Sequence, residues 1–254
     1  MYSWGSLDNN QINNSKAHID SIARLFSDLG GVFVVPATDL AAKITKIQAL
    51  IFDWDGVFND GTKDAERPST FNEADSMGTN MLRYGLWLRY GRLPVSAVIS
   101  GEKNAAAKFF AKREHFDAIY SGIRDKRLAI EHLCMENKIS FESIACVFDD
   151  INDLSMAKLC GVRCLVRRPA SPLFTRYTRD NRLCDYITGS ESGHQTVREI
   201  SELFLGLSGN FEKVLASRLA FDQGYREYFR RRQAVSTRYY KQEGDAILEA
   251  GAKA

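Results

Sequence analysis

Two carboxylates stand two residues apart in Phe52-Asp53-Trp54-Asp55-Gly56, and Asp149, 96 residues beyond Asp53, opens a second set in Asp149-Asp150-Ile151-Asn152-Asp153. Either cluster alone reads as an acidic turn at the end of a strand. If the two meet, Asp53, Asp55 and Asp149 concentrate negative charge that a cation must offset, and a donor set made of oxygens selects Mg²⁺. Between them lie Ser100-Gly101, which offers a hydroxyl and free amides, and Asp125-Lys126, which offers an ammonium group. A hard cation, a hydroxyl with free amides and a positive charge are groups that phosphoryl transfer needs.

Elements able to position these groups are visible around each of them. Ala49–Phe52 is a continuous apolar run that stops at Asp53, as expected of a strand buried on both faces. Similar runs occupy Val95–Ile99, Ala118–Tyr120, Ile144–Phe148 and Val162–Val166, with a weaker one at Asp185–Thr188. Helical patterns near 102–114, 125–137, 152–159 and 195–206 separate most of them. Strands alternating with helices predict an α/β fold with a central parallel sheet and helices on both faces, three layers in all. Each chemical motif then falls at a strand's carboxyl end, where ligands bind in open parallel sheets.

Residues 1–14 are polar and are expected to be loose. Ile19, Ile22, Ala23, Phe26 and Leu29 follow helical spacing, with Asn14 or Ser15 as N-cap and Gly30-Gly31 as the stop. A short helix after Pro36, capped by Thr38 or Asp39, completes an N-terminal helical extension over 1–47. A catalytic domain spans 48–208 and a helical C-terminal extension 209–254. Within that extension, residues 221–241 carry six basic residues against two acidic ones, with six aromatics interleaved. Such a mixture can bind nucleic acid; the reading adopted is a helix whose aromatic stripe packs and whose arginines are solvated.

Taken in order, DxDG, Ser-Gly, Lys and DDxxD resemble the haloacid dehalogenase superfamily of phosphatases over residues 48–204. The resemblance implies that Asp53 is the nucleophile forming an aspartyl-phosphate. Asp55 is then the general acid and base, Ser100 and the Gly101 region hold a phosphoryl oxygen, and Lys126 offsets charge. Mg²⁺ is implied on the Asp53 carboxylate, the Asp55 carbonyl and Asp149. Asp150 and Asp153 then orient that shell, Asp153 serving equally well as a helix N-cap, while Asp60 in Asn-Asp-Gly is read as turn chemistry. The gaps from Asp53 to Ser100 (47 residues) and from Lys126 to Asp149 (23 residues) are too short for a large cap domain. A small β-hairpin flap is expected near 56–72.

Within the superfamily the chain is similar to the branch of the 3-deoxy-manno-octulosonate 8-phosphate phosphatases and the related nonulosonate 9-phosphate phosphatases. The likeness runs through Asp55–Gly61, Phe71–Gly78, Ser121-Gly122 with Asp125-Lys126, and Gly193 with Val197-Arg198-Glu199. It implies a homotetramer, an acid-sugar phosphate as substrate, and Asp75, Gly193 and Arg198 on the substrate side. The chain departs from that branch at Ala74, where an arginine is usual, at Glu102, where a base is usual, at Phe148, which replaces a glycine, and at the bulky Trp54. These changes motivate an alternative: a binding or regulatory module on the same scaffold contacting nucleic acid or protein, or a phosphatase for a macromolecular substrate.

Composition narrows the classes further. Apolar residues make up 44% of the 254 residues and the formal charge is +2, so global disorder is excluded and no charge excess calls for a nucleic-acid partner. No run is apolar enough for a membrane helix, and the start lacks a signal-peptide layout, so a cytoplasmic location is expected. Five cysteines without a CxxC pair are expected to be reduced and buried, and four isolated histidines form no metal-binding spacing.

Overall fold

The computed structural model describes residues 9–64 and 69–251. In chain order the elements are α1 (Asn9–Asp28), β1 (Val32–Phe33), α2 (Ala37–Ile44), β2 (Ala49–Phe52), α3 (Glu73–Tyr90), β3 (Val95–Ser100), α4 (Ala105–Arg113), β4 (Ala118–Ser121) and α5 (Lys126–Asn137). They continue with β5 (Ile144–Phe148), α6 (Leu154–Ala157), β6 (Val162–Arg167), α7 (Pro172–Asp180), β7 (Tyr186–Glu191), α8 (Thr196–Leu207), α9 (Phe211–Ala220), α10 (Gln223–Gln233), β8 (Arg238–Glu243) and β9 (Ala246–Ala250).

Among the described residues the strands form one sheet in the order β1-β7-β6-β5-β2-β3-β4-β8-β9. Strands β7 through β8 run parallel, whereas β1 and β9 pair antiparallel at the two edges. The sheet is therefore mixed rather than wholly parallel. Alternation along β2 shows the layering: Leu50 and Phe52 enter one buried cluster with α2, α3, α4 and α8, while Ala49 and Ile51 enter a second with α5 and α6. The chain runs outward from β2 through β3 to β4 and then crosses back to β5 on the other side of β2. That reversal opens a crevice at the carboxyl ends of β2 and β5.

Both extensions differ from the expected all-helical form. Helix α1 begins at Asn9, earlier than the expected cap at Asn14 or Ser15. Helix α2 starts at Ala37 with Pro36 at the cap position and no side-chain cap, so neither Thr38 nor Asp39 caps it. The C-terminal segment ends in a hairpin rather than a helix: β8 adds to β4, and a two-residue Gly244-Asp245 turn returns the chain as β9. Gly244 has φ +58°, as such a tight turn requires. The basic-aromatic stretch packs as expected on its aromatic side. Tyr225 and Tyr228 are buried, Glu227 pairs with both Arg230 and Arg231, and Arg232 is buried beside Glu114.

No β-hairpin flap forms over the described part of 56–72, which carries turns and irregular backbone; residues 65–68 of that expectation lie outside the described residues. No domain is inserted between Asp53 and Ser100 or between Lys126 and Asp149 among the described residues. Helix α3 follows instead and packs closely on α8. An added Cβ at Gly85 would lie 2.3 Å from Leu205 Cδ2, and one at Gly78 would lie 3.0 Å from the Arg198 backbone. The five cysteines are free and buried. No helix among the described residues is long and apolar enough to cross a membrane.

Candidate active site

Register alone brings the acidic ends together. Phe52 pairs with Val147, so Asp53 leaves β2 beside Asp149 leaving β5, and the Asp53 amide donates to the Val147 carbonyl at 3.0 Å. Phe52 also pairs with Val98 and Ser100 with Ser121, which sets the ends of β3 and β4 on the other side. Beyond these ends lies a cavity of about 490 Å³ lined by Asp53, Asp55, Gly101, Glu102, Arg124, Lys126, Asp149, Asp150, Asp153 and Arg168, among others.

At its floor, oxygens of Asp53, Asp149 and Asp153 lie within 4.8 Å of one another, and all three residues are buried. The Lys126 ammonium, 3% exposed, donates to both Asp53 Oδ1 and Asp153 Oδ1. Burial pushes the Asp53 carboxyl up to about 6 against the pull of Lys126. Burial, reinforced by Asp53 and Asp153, pushes Asp149 up to about 8. Burial works to lower the Lys126 value, yet Asp53 and Asp153 prevail and hold it above its usual range. Three buried carboxylates against the Lys126 ammonium and the Arg168 guanidinium leave one negative charge uncompensated, and an all-oxygen donor set of this kind suits Mg²⁺.

Asp153, expected to orient the shell or to cap a helix, does not cap α6 with its side chain. Its Oδ2 accepts from the amides of Asp149 and Asp150 at 3.3 and 3.2 Å, while Asp150 caps the short 3-10 turn Ile151–Asp153. The Asp55 carboxylate stands apart from the three-oxygen cluster. Its Oδ1 accepts from Ser69 Oγ at 2.6 Å, and its Oδ2 meets Lys63 Nζ at 2.8 Å. Ser69 is fixed in turn by Trp54 Nε1 at 3.0 Å and Asn104 Nδ2 at 2.5 Å, which gives the bulky Trp54 a task. Phe148, the other bulky replacement, is fully buried in the α5–α6 core.

Gly56 explains itself sterically. Its φ is +89°, and a Cβ there would lie 2.0 Å from Asp149 Oδ2. The turn is held by Asn59, whose Oδ1 accepts from Gly61 at 2.9 Å and whose Nδ2 donates to the Trp54 carbonyl at 3.2 Å. Asp60 acts in the same turn, its Oδ1 accepting from the Thr62 amide at 2.8 Å.

Other expected site residues lie elsewhere. Gly101 lines the cavity, but Ser100 does not; the buried Ser100 hydroxyl accepts from the Glu102 amide at 3.2 Å. Asp75, Gly193 and Arg198 are outside the cavity lining. Asp75 accepts from the Arg198 amide at 2.8 Å at the start of α8, where burial pushes its carboxyl up to about 7 against the pull of the Arg198 and Val197 amides. The Arg198 guanidinium pairs with Glu202, and Gly193, at φ +83°, packs on Asp60. Asp75 thus ties α3 to the start of α8, and Gly193 lies against the turn after Asp55. Four residues that the sequence reading passed over also stand at the site: Lys63, Ser69, Arg124 and Arg168. Arg168 Nε lies 2.9 Å from Asp149 Oδ2. Ser69 and Arg168 sit in segments without a motif, so only the folded chain brings them here.

No family model matches the chain. Among curated proteins it is similar to the 3-deoxy-D-manno-octulosonate 8-phosphate phosphatase KdsC of Escherichia coli K12, 26% identical over 182 residues, or 70% of this chain and 89% of KdsC. Among solved structures it is similar to the 3-deoxy-D-manno-octulosonate 8-phosphate phosphatase of Moraxella catarrhalis, crystallised with magnesium, phosphate and KDO. That likeness has a TM-score of 0.60 and 27% identity, and covers 70% of this chain and 97% of the other. The cobalt-bound deoxy-D-mannose-octulosonate 8-phosphate phosphatase of Haemophilus influenzae, at 24% identity, TM-score 0.56, and 66% and 92% coverage, shows the shared fold. The chain thus resembles the haloacid dehalogenase phosphatases, and relatives of this fold hold a divalent metal.

Proposed function

We propose that this chain, built on the haloacid dehalogenase fold and similar to the KdsC phosphatases, is a Mg²⁺-dependent phosphomonoester hydrolase. The observation that carries the reading is the juxtaposition of Asp53 with Lys126, Asp149 and Asp153 at the β2–β5 crevice. Asp53, Asp149 and the Asp55 carbonyl would hold the cation, and a bound Mg²⁺ would draw charge from a phosphoryl oxygen. The chain's own groups do the rest. Lys126 keeps the Asp53 carboxylate ionised and aimed into the cavity. Asp53 attacks phosphorus in line and the ester oxygen leaves; the resulting aspartyl-phosphate divides the hydrolysis into two easier steps. Asp55, steered by Ser69 and Lys63, protonates the leaving oxygen and then takes a proton from the attacking water. Gly101 and the residues around Ser100 face the phosphoryl group.

The substrate we infer is a small acid-sugar phosphate such as 3-deoxy-manno-octulosonate 8-phosphate, as the names of the relatives support. The basic groups that Ala74 and Glu102 do not supply are offered at the cavity by Lys63, Arg124 and Arg168. A homotetramer remains part of the proposal, since no inserted domain covers the cavity among the described residues; light scattering of the purified chain checks it.

The deciding experiment is phosphate release from 3-deoxy-manno-octulosonate 8-phosphate, a panel of sugar phosphates and an aryl phosphate, with and without Mg²⁺, for wild type and Asp53→Asn. Selective turnover that needs Mg²⁺ and vanishes in Asp53→Asn is the expected result. Turnover of the aryl phosphate alone would remove the acid-sugar assignment and keep the chemistry. Full activity in Asp53→Asn would overturn the mechanism.

A further inference from the structure

The Lys126 ammonium depends on where α5 begins, and α5 begins directly after a loop that leaves β4. Strand β4 ends at Ser121, which is level with Lys241 of β8. At Gly122 the backbone turns to φ +69° and the parallel ladder stops. The next residue of β8, Gln242, continues the pairing with its side chain. Gln242 Oε1 accepts from the Arg124 amide at 2.8 Å and from the Asp125 amide at 3.2 Å. Its Nε2 donates to the Gly244 carbonyl at 2.7 Å, which fixes the orientation of the amide group. Asp125 in turn caps α5 by accepting from the Arg127 amide at 3.0 Å, and Lys126 is the first residue of that helix.

The hairpin bearing Gln242 is anchored by contacts that do not involve Gln242. Tyr240 stacks on Tyr120 with ring centroids 4.9 Å apart and meets His132 of α5 edge-on at 4.7 Å. Arg238 pairs with Glu136 of α5 at 3.1 Å, and Ile247 packs against the same core. A rigidly docked hairpin thus ends in one side chain that grips the two backbone amides preceding Lys126.

We propose that Gln242 is a positioning residue for the hydrolase: it sets the Gly122–Asp125 loop so that Arg124 faces the cavity and Lys126 meets Asp53. The inference rests on the phosphatase reading above and extends it by making the C-terminal hairpin part of the catalytic apparatus. Loss of the amide grip lets the start of α5 drift by a fraction of an ångström. Misplacement by 1 Å costs on the order of 100-fold in rate, so a drift of this size predicts a loss of about tenfold.

The test uses the full chain with Mg²⁺ and compares wild type, Gln242→Ala and Gln242→Glu on an aryl phosphate. Glutamate keeps an oxygen acceptor at the same reach but loses the Nε2 donor to the Gly244 carbonyl. The expected result is a fall of about tenfold in kcat for Gln242→Ala at an unchanged melting temperature, part of it recovered in Gln242→Glu. Faster amide hydrogen exchange over residues 122–128 should accompany Gln242→Ala and not Gln242→Glu. An active wild type matched by Gln242→Ala would overturn the inference and leave the phosphatase reading standing. Equal losses in both variants together with a lowered melting temperature would also overturn it, because the role would then be structural. A wild type inactive on every ester would remove the phosphatase reading and this inference with it.

Discussion

Replacing Gly56 by alanine tests whether the acidic ends of β2 and β5 must touch. The added Cβ would lie 2.0 Å from Asp149 Oδ2 and 2.5 Å from its Cγ. Ordinary contact begins near 3.4 Å, so the carboxylate must retreat by about 1.4 Å, or the turn must move by as much. Alanine at φ +89° adds strain of about 1–2 kcal/mol. The two costs are separable. Gly91→Ala carries a similar strain, at φ +66°, but an added Cβ there meets nothing within 4 Å. Gly91→Ala should lose about 1–2 kcal/mol of stability and keep its activity. Gly56→Ala should lose on the order of 100-fold in kcat/KM at fixed Mg²⁺, in line with the cost of an ångström-scale misplacement. It should also need about tenfold or more additional Mg²⁺ for half-maximal rate, as happens when ligand orientation is disturbed. Phosphate release across a Mg²⁺ titration, with melting curves for both variants, measures all three. Activity in Gly56→Ala within threefold of wild type at the same Mg²⁺ requirement would refute the claim that Asp149 must lie against this turn.

Other outcomes follow from the same geometry. Lys126→Met leaves Asp53 and Asp153 buried without their cation and should destabilise the metal-free chain by about 3–5 kcal/mol, with Mg²⁺ restoring part of the melting temperature. Magnesium at 100 times its dissociation constant should stabilise the wild type by about 2.7 kcal/mol, read as a rise in melting temperature over an EDTA control. Ser69→Ala removes the hydroxyl that holds Asp55 and should lower kcat about 10- to 100-fold without a change in Mg²⁺ requirement, since a hydrogen bond to a charged group contributes about 1.5–3 kcal/mol. Burial raises the Asp75 carboxyl to about 7, so between about 4 and 7 the folded chain keeps a proton that the unfolded chain has lost. Its contribution to stability is therefore present at low pH and is lost as pH rises through 7, with a slope of at most about 1.4 kcal/mol per pH unit. Denaturant titrations of Asp75→Asn, which can still accept from the Arg198 amide, should show a shallower decline over that interval. An identical pH profile in the two proteins would remove Asp75 as a source of it.

What could be read beforehand depended on how each element is stabilised. Strands β2, β3, β5 and β6 are buried on both faces and announce themselves as apolar runs, and the acidic residues at two of their ends followed at once. Helix α3 left no such trace. Its buried residues mix Ser76, Gly78, Thr79, Asn80 and Gly85 with Leu82, Tyr84 and Leu86, which blurs the apolar period, and α8 approaches too closely at Gly78 and Gly85 for a larger residue there. Strands β8 and β9 were hidden for another reason. The aromatic and basic residues of β8 suggested a helical stripe, and the pairing that makes it a strand comes from Ala118–Ser121, far away in the chain. Gly244-Asp245 between two alternating runs was the available signal. At the site, Asp53, Lys126 and Asp149 could be found because each sits at a strand or helix terminus. Ser69, Arg168 and Gln242 could not, since they arrive on irregular backbone or from another part of the sheet. Asp75 carries a structural contact that the motif did not announce: its carboxylate accepts from the Arg198 amide and so ties α3 to α8.

The place of β8 at the outer edge of β4 has a consequence for how the protein is made. Synthesis delivers Ala118–Ser121 long before Arg238–Glu243, the segment that covers its open edge. At roughly 5–20 residues per second, the ribosome needs on the order of ten seconds to bridge that interval. Throughout it, the nascent chain presents an unpaired apolar strand edge of the kind other chains can extend. Strands β8 and β9, translated well after β4, therefore act as a seal against aggregation during biosynthesis, and a message truncated before them would leave that edge open.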